Sequence, residues 1–192
     1  MDKFINQLTE VVGACKNARQ ERLLSPKEFL QLTADEVDRA GRYDRPLAIA
    51  MIVIDGLTMF RQAEGKARTE EVADGIIAHL IELLRGPDRT ARLGISEVGV
   101  LMPETTLRNA AAVAERMRSG IHSDNQEVVG AEHKLGLSIG VAAVSARMRD
   151  PKRFLMTACF ELRRAQSKGG NIVSVASADL VRMSAPRSGQ IH

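Results

Sequence analysis

Between Arg85 and Pro103 the chain reads Arg-Gly-Pro-Asp-Arg-Thr-Ala-Arg-Leu-Gly-Ile-Ser-Glu-Val-Gly-Val-Leu-Met-Pro. Two sets of residues in this stretch have the types and spacing to do chemistry. Arg85 and Asp88 set a planar donor three residues from a two-oxygen acceptor. The pair suits a ligand, and it equally suits a turn in which Arg85 neutralises the carbonyl end of a helix and Asp88 acts as a brace. At Gly94, Ile95, Ser96, Glu97 and Val98 a tip interrupts the apolar pattern, and its one carboxylate, Glu97, has no partner nearby in sequence.

The elements that must position these residues follow from periodicity. Val72, Ile76, Ile77, Leu80, Leu83 and Leu84 recur at helical spacing from about Ala67 to Arg85, and Gly86-Pro87 ends that helix beside the Arg85–Asp88 turn. Short apolar runs on either side of Gly94 to Glu97 predict the arms of a β-hairpin. Leu47 to Ile54 is continuously apolar and rich in Ile, Val and Met, which predicts a strand buried on both faces at the centre of a sheet.

Ser25 as N-cap with Pro26 at the first helical position starts a helix that runs to about Tyr43, its apolar side formed by Phe29, Leu30, Leu32, Ala34 and Val37. A further helix is predicted from Thr105 to about Ile121, then a polar loop from Ser123 to about Glu132. Strands are predicted over Leu135–Ala142 and Ile172–Val175. In residues 2–19, Phe4, Leu8, Val11, Val12 and Cys15 share one helical face. That stripe packs either on the domain's own core or against a second copy or another protein. The chain thus divides into an amphipathic N-terminal helix (1–22), one domain (23–175) and a flexible tail (176–192).

With 192 residues, 44% hydrophobic and 27% charged, the chain has material for one well-buried domain. A net charge of +3 and 3% aromatic residues offer little to a nucleic acid, so no nucleic-acid partner is expected. Cys15 and Cys159 lie far apart without metal-ligand neighbours and read as small buried residues, and His79 reads as a core or boundary histidine. No metal site or cofactor is expected. No run approaches the roughly 20 apolar residues of a membrane span, and Asp2, Lys3, Asn6 and Gln7 interrupt any leader pattern, which predicts a cytoplasmic protein with no membrane contact.

Arg85-x-x-Asp88, Arg92, Leu93, the tip and Val100-Leu101-Met102-Pro103 keep the order and spacing of the GGDEF domain. The stretch therefore resembles that family of diguanylate cyclases, which condense two GTP molecules into cyclic di-GMP. Leu135-Gly136-Leu137-Ser138-Ile139-Gly140-Val141-Ala142 is similar to the family's Thr-x-Ser-x-Gly-Val-Ala strand, and Ala114-Glu115-Arg116-Met117-Arg118 to its Ala-Glu-Arg run. Ala158 to Asn171 aligns without a gap on a further family motif, and the resemblance covers about Leu23 to Val175. It implies an α/β fold of the nucleotidyl cyclase type: a central mixed sheet with a β-hairpin, flanked by helices, here with the added N-terminal helix.

The resemblance also implies lost chemistry. The family's first strand aspartate, a metal ligand, matches Val53, while its second is kept as Asp55. The phosphate-binding lysines match Thr58 and Gln166, the guanine-reading asparagine matches Arg61, and a later aspartate matches Glu70. At the tip the second glycine is Ile95, and Ser96 stands where a carboxylate is expected beside Glu97. Magnesium-assisted phosphoryl transfer needs carboxylate ligands and cationic positioning, so no catalytic residue is expected. In the family the Arg-x-x-Asp turn binds cyclic di-GMP away from the active site. By resemblance Arg85, Asp88, Arg116 and Arg39 would hold that ligand here, the guanidinium on guanine O6 and N7 and the carboxylate on N1 and N2. The implied function is a non-catalytic cyclic di-GMP receptor that signals to a protein partner. The alternatives are a ligand-independent scaffold and, third, a residual cyclase.

Overall fold

A computed structural model of the chain describes residues 23–128, 135–144 and 150–176. The elements are β1 (Leu23–Leu24), α1 (Pro26–Tyr43), β2 (Leu47–Asp55), α2 (Leu57–Glu82), β3 (Arg89–Arg92), β4 (Glu97–Pro103), α3 (Leu107–Val128), β5 (Gly136–Ala143), α4 (Pro151–Ser167) and β6 (Val173–Val175). The helix expected at residues 1–22 and the tail beyond Ala176 lie outside the described residues. Ala176 itself, expected in the tail, is buried and donates its N–H to Val141 O at 2.9 Å.

Six strands form one mixed sheet in the order β1-β3-β4-β2-β5-β6. β2 pairs antiparallel with β4 on one side and β5 on the other, while β1 on β3 and β5 on β6 are parallel. The apolar run of β2 is central, as its composition predicts, and its period-two alternation divides the core. Ala48, Ala50, Ile52 and Ile54 pack with α2 and α3 residues such as Ile77, Leu80, Ala114 and Met117. Leu47 and Ile49 pack on the opposite face with Phe29 and Val37 of α1 and Phe154 and Ala158 of α4. Helices therefore cover both faces of the sheet. Gly140 is required where α4 crosses β5, because a Cβ there would come within 2.1 Å of Leu162 N and 2.2 Å of Ala158 O.

α1 begins as its sequence predicts. Ser25 Oγ accepts from Glu28 N at 3.3 Å and Glu28 Oε2 accepts from Ser25 N at 2.8 Å, a reciprocal cap that holds the Glu28 carboxyl below the usual range. Its inner face differs from expectation: Leu30 is 55% exposed and Ala34 is only partly buried, while Thr33 is buried, donating to Phe29 O at 2.7 Å. A hydroxyl can be buried there because the helix's own carbonyl satisfies it.

Two boundaries depart further. α2 starts at Leu57, ten residues before the predicted onset, and kinks at Gly65, where φ is 81° and ψ is 175°. Before the kink only Leu57 and Phe60 are buried, too few apolar positions to reveal a period. α3 continues to Val128, so the loop expected from Ser123 is helical as far as that residue. Nothing between His122 and Val128 is Gly or Pro, so polar composition alone did not stop the helix.

Candidate functional site

The Arg85–Asp88 turn sits where α2 hands over to the hairpin. Asp88 N donates to Arg85 O at 3.1 Å, closing the turn around Gly86-Pro87. The Asp88 carboxylate faces inward: Oδ2 accepts from Arg85 N at 2.9 Å, Oδ1 from Arg85 Nη2 at 3.3 Å, and the side chain is 2% exposed. Arg85 is 56% exposed, but its Nη2 also donates to Thr105 Oγ1 at 2.6 Å and to Pro103 O at 3.4 Å. The guanidinium thus ties the turn to the far end of β4 while its remaining donors face outward.

Arg116 comes to the same place from α3, donating from Nη2 to Leu83 O at 2.6 Å. Arg89, which sequence reasoning missed, donates from Nη1 to Gly86 O at 2.8 Å and to Asp88 O at 3.1 Å. Its position directly after Asp88 was the available signal. Arg39 pairs with Glu36 at 3.4 Å and lines a shallow depression with Arg45, Pro103 and Glu104. Pro103 therefore links it to the Arg85 rim, although no direct contact joins Arg39 to the turn among the described residues.

The hairpin tip and the end of β2 form the second candidate region. Val53 pairs with Glu97 across β2 and β4 and with Ser138 across β2 and β5, so the topology brings together the positions that the resemblance connects. Ile54 N donates to Ser96 O at 2.9 Å, and Leu93 N donates to Glu97 O at 2.9 Å. The Glu97 carboxylate folds back over the tip, accepting from Ser96 N at 3.2 Å, and a Cβ on Gly94 would meet Glu97 Oε2 at 2.1 Å. Ile95 packs partly against the core and Val98 is fully buried. Arg92 donates from Nε to Gly94 O at 3.1 Å and pairs through Nη1 with Asp74 of α2, so the tip is strapped to that helix.

Asp55 is engaged internally, its Oδ2 accepting from Ser138 Oγ at 2.7 Å and from Asn171 N at 2.8 Å. Glu70 pairs with Lys66 at 3.7 Å on the surface of α2. Thr58, Arg61 and Gln166 are exposed. Among the described residues no group of three or more His, Cys, Asp and Glu side chains is placed to hold a metal ion. Asp55, Glu70 and Glu97 are not gathered into one cluster.

Near Asn171, Arg118 Nη1 donates to Asn171 Oδ1 at 3.3 Å and Arg118 Nη2 to Glu115 Oε1 at 2.5 Å. The bond from Arg118 holds the Glu115 carboxyl below its usual range, with burial opposing, and raises the Arg118 guanidinium in return. Cys159 is half-buried, and burial pushes its thiol up while Arg163 opposes.

A mixed sheet covered on both faces, with an antiparallel hairpin whose tip lies beside the end of the central strand, defines the class: an α/β domain of the nucleotidyl cyclase type. The sequence profile of the family described as "Diguanylate cyclase, GGDEF domain" matches residues 22–172, and the chain belongs to that family. Diguanylate cyclase A of Treponema denticola is 26% identical over 144 residues, which are 75% of this chain and 39% of that protein. Response regulator PleD of Caulobacter vibrioides is 29% identical over 139 residues, 71% of this chain and 31% of that protein. The chain therefore spans well under half the length of these relatives.

Solved structures of GGDEF domains share the fold, among them the following two. The GGDEF domain of DgcB from Caulobacter crescentus, solved in complex with c-di-GMP, superposes with a TM-score of 0.73 at 20% identity, covering 81% of this chain and 90% of that one. Diguanylate cyclase SiaD from Pseudomonas aeruginosa, solved in complex with its activator SiaC, gives 0.71 at 21% identity, covering 91% and 70%.

Proposed function

We propose that this GGDEF domain is catalytically silent and acts as a cyclic di-GMP receptor at the Arg85–Asp88 turn, passing occupancy to a protein partner. The observation that carries this reading is that Arg85 in the turn, Arg89 at the start of β3 and Arg116 from α3 gather where α2 ends and the turn begins, with Arg85 more than half exposed. A cyclic dinucleotide offers two phosphates and two guanine edges, and guanidinium groups bind both. Complexes of relatives with c-di-GMP and with a protein activator support the two halves of the reading. Catalytic silence is supported by Val53, Ser96, Thr58 and Gln166 at the positions where the family carries metal and phosphate ligands. A cytoplasmic location is part of the proposal. Among the described residues no helix is long and apolar enough to cross a membrane.

A second reading, a ligand-independent scaffold, is favoured by one observation: the Asp88 side chain is 2% exposed and both its oxygens already accept from Arg85. Calorimetric titration with cyclic di-GMP, beside GTP as control, separates the two. The receptor reading expects micromolar or tighter binding, roughly −8 kcal/mol or better, with Arg85→Ala weakening it by about 1–3 kcal/mol. Asp88→Asn is paired with thermal unfolding, so that a loosened turn is not mistaken for a lost contact. No heat and no ligand-induced shift in melting at saturation would leave the scaffold.

A further inference from the structure

The outer face of α4 carries an apolar ridge whose border is mostly basic, with the N-cap Asp150 as the exposed acid at its start. Met156 and Phe160 stand one helical turn apart, and each is 61% exposed. At helical spacing the same face continues to Lys152 on one side and to Arg163 and Ser167 on the other, all exposed. Arg153 and Arg164 flank it, and Lys168 follows at the helix end. The helix's one acidic residue, Glu161, is turned inward, fully buried against Ser174. Lys152, Arg163 and Lys168 enter no ion pair among the described residues. A pair of large apolar side chains that the core does not use, bordered mainly by basic side chains of which only Arg164 is paired among the described residues, with Glu161, is the pattern of a docking surface.

We infer that this face of α4 binds an acidic amphipathic helix of a protein partner, its apolar side laid on Met156 and Phe160 and its carboxylates on Lys152 and Arg163. Charge complementarity chooses the occupant. None of the chain's own segments outside the described residues is net acidic: residues 1–22 hold four basic and three acidic residues, 145–149 hold Arg147 and Arg149 with no acid, and 177–192 hold Arg182 and Arg187 against Asp179. Residues 129–134 balance Glu132 with Lys134. A second copy packed symmetrically on this face would bring the same basic side chains. A lipid surface fits less well, because Phe154, Ala158 and Ala165 commit the inner side of α4 to the core and leave two apolar side chains to insert. With 17 residues at about 1.5 Å each, the helix offers a track of roughly 25 Å, enough for a partner helix of about four turns.

This inference deepens the partner half of the reading above and rests on it, yet its test is independent of the ligand. The photoreactive residue benzoylphenylalanine, placed at position 160 of the full chain in the cells that make it, reports what covers the ridge. The expected product is a crosslink to a protein segment with an acidic, amphipathic helical sequence. That segment, synthesised and labelled, should bind the purified full chain in an anisotropy titration. The double variant Lys152→Glu and Arg163→Glu, shown by circular dichroism to be folded, should weaken it about tenfold or more. A peptide with its facing acids changed to lysine should bind that variant better than it binds the unaltered chain. Crosslinks to phospholipid, to a second copy or to a segment without acidic residues, or no crosslink at all, overturn the inference. A crosslink formed where calorimetry finds no cyclic di-GMP binding removes the receptor reading and leaves this surface standing. Ligand binding with no crosslink does the reverse.

Discussion

Asp55 ends β2 with one carboxylate oxygen accepting from both Ser138 Oγ and Asn171 N. Those bonds join β2, β5 and the turn after α4, where Asn171 adopts a left-handed conformation with a φ of 50°. Hydrogen bonds to a charged acceptor contribute about 1.5–3 kcal/mol, and deleting it leaves two donors unsatisfied. Asp55→Ala should therefore lower unfolding free energy by about 2 kcal/mol in a urea titration, whereas an Asp55 kept only as the remnant of a metal site would leave stability unchanged. Residue types in the candidate site were legible in the sequence; the directions of their side chains were not. Asp88 and Glu97 stand where the spacing puts them, yet each carboxylate turns to a nearby backbone N–H. That choice is made by a local competition between backbone donors and solvent, which spacing does not encode.

α3 and the turn after α4 are joined by Arg118, which reaches Asn171 while bonded to Glu115. Because the Glu115 carboxyl is held below its unfolded value, the contribution is present above that unfolded value and fades as pH falls through the folded one. The Glu115 carboxylate is about half exposed while Arg118 is partly buried, so water screens the pair from the carboxylate side and keeps the effect small. Glu115→Gln should cost a few tenths of a kcal/mol at neutral pH, and the difference from the unaltered chain should vanish in acid below the ordinary carboxylate range, read from parallel denaturant curves. Elements with strong signals were legible: β2 through its unbroken apolar run and α1 through Ser25, Pro26 and Glu28. The start of α2 was hidden by a kink at Gly65, and β1, a two-residue strand paired with Thr90 and Ala91, is too short to leave a pattern. Its pairing depends on partners remote in sequence, which a local window does not contain.

Taken as a whole, the molecule keeps the frame on which diguanylate cyclases hold their reacting groups, so activity depends on what stands in that frame. Val53 faces Glu97 across the two central strands, an apolar side chain opposite the tip's only carboxylate. Glu97 bends back onto Ser96 N, and the tip is strapped to α2 through Arg92 and Asp74. Phosphoryl transfer between nucleotides relies on metal ions and fixed cations to stabilise charge as it develops, and loss of one such group costs about 10²–10³ in rate. With Val53, Ser96, Thr58 and Gln166 at the positions that the proposed reading assigns to such groups, the expected result is no cyclic di-GMP above a protein-free blank when the chain is incubated with GTP and magnesium or manganese. Val53→Asp alone should not restore synthesis, because the new carboxylate would meet one exposed glutamate folded back over the tip and no basic residue at Thr58 or Gln166. Product is read by chromatography against authentic cyclic di-GMP. Steady metal-dependent turnover by the unaltered chain would show that the residual cyclase, not the receptor, is the right reading. Turnover by Val53→Asp only would mean that the missing strand carboxylate was the whole of the defect.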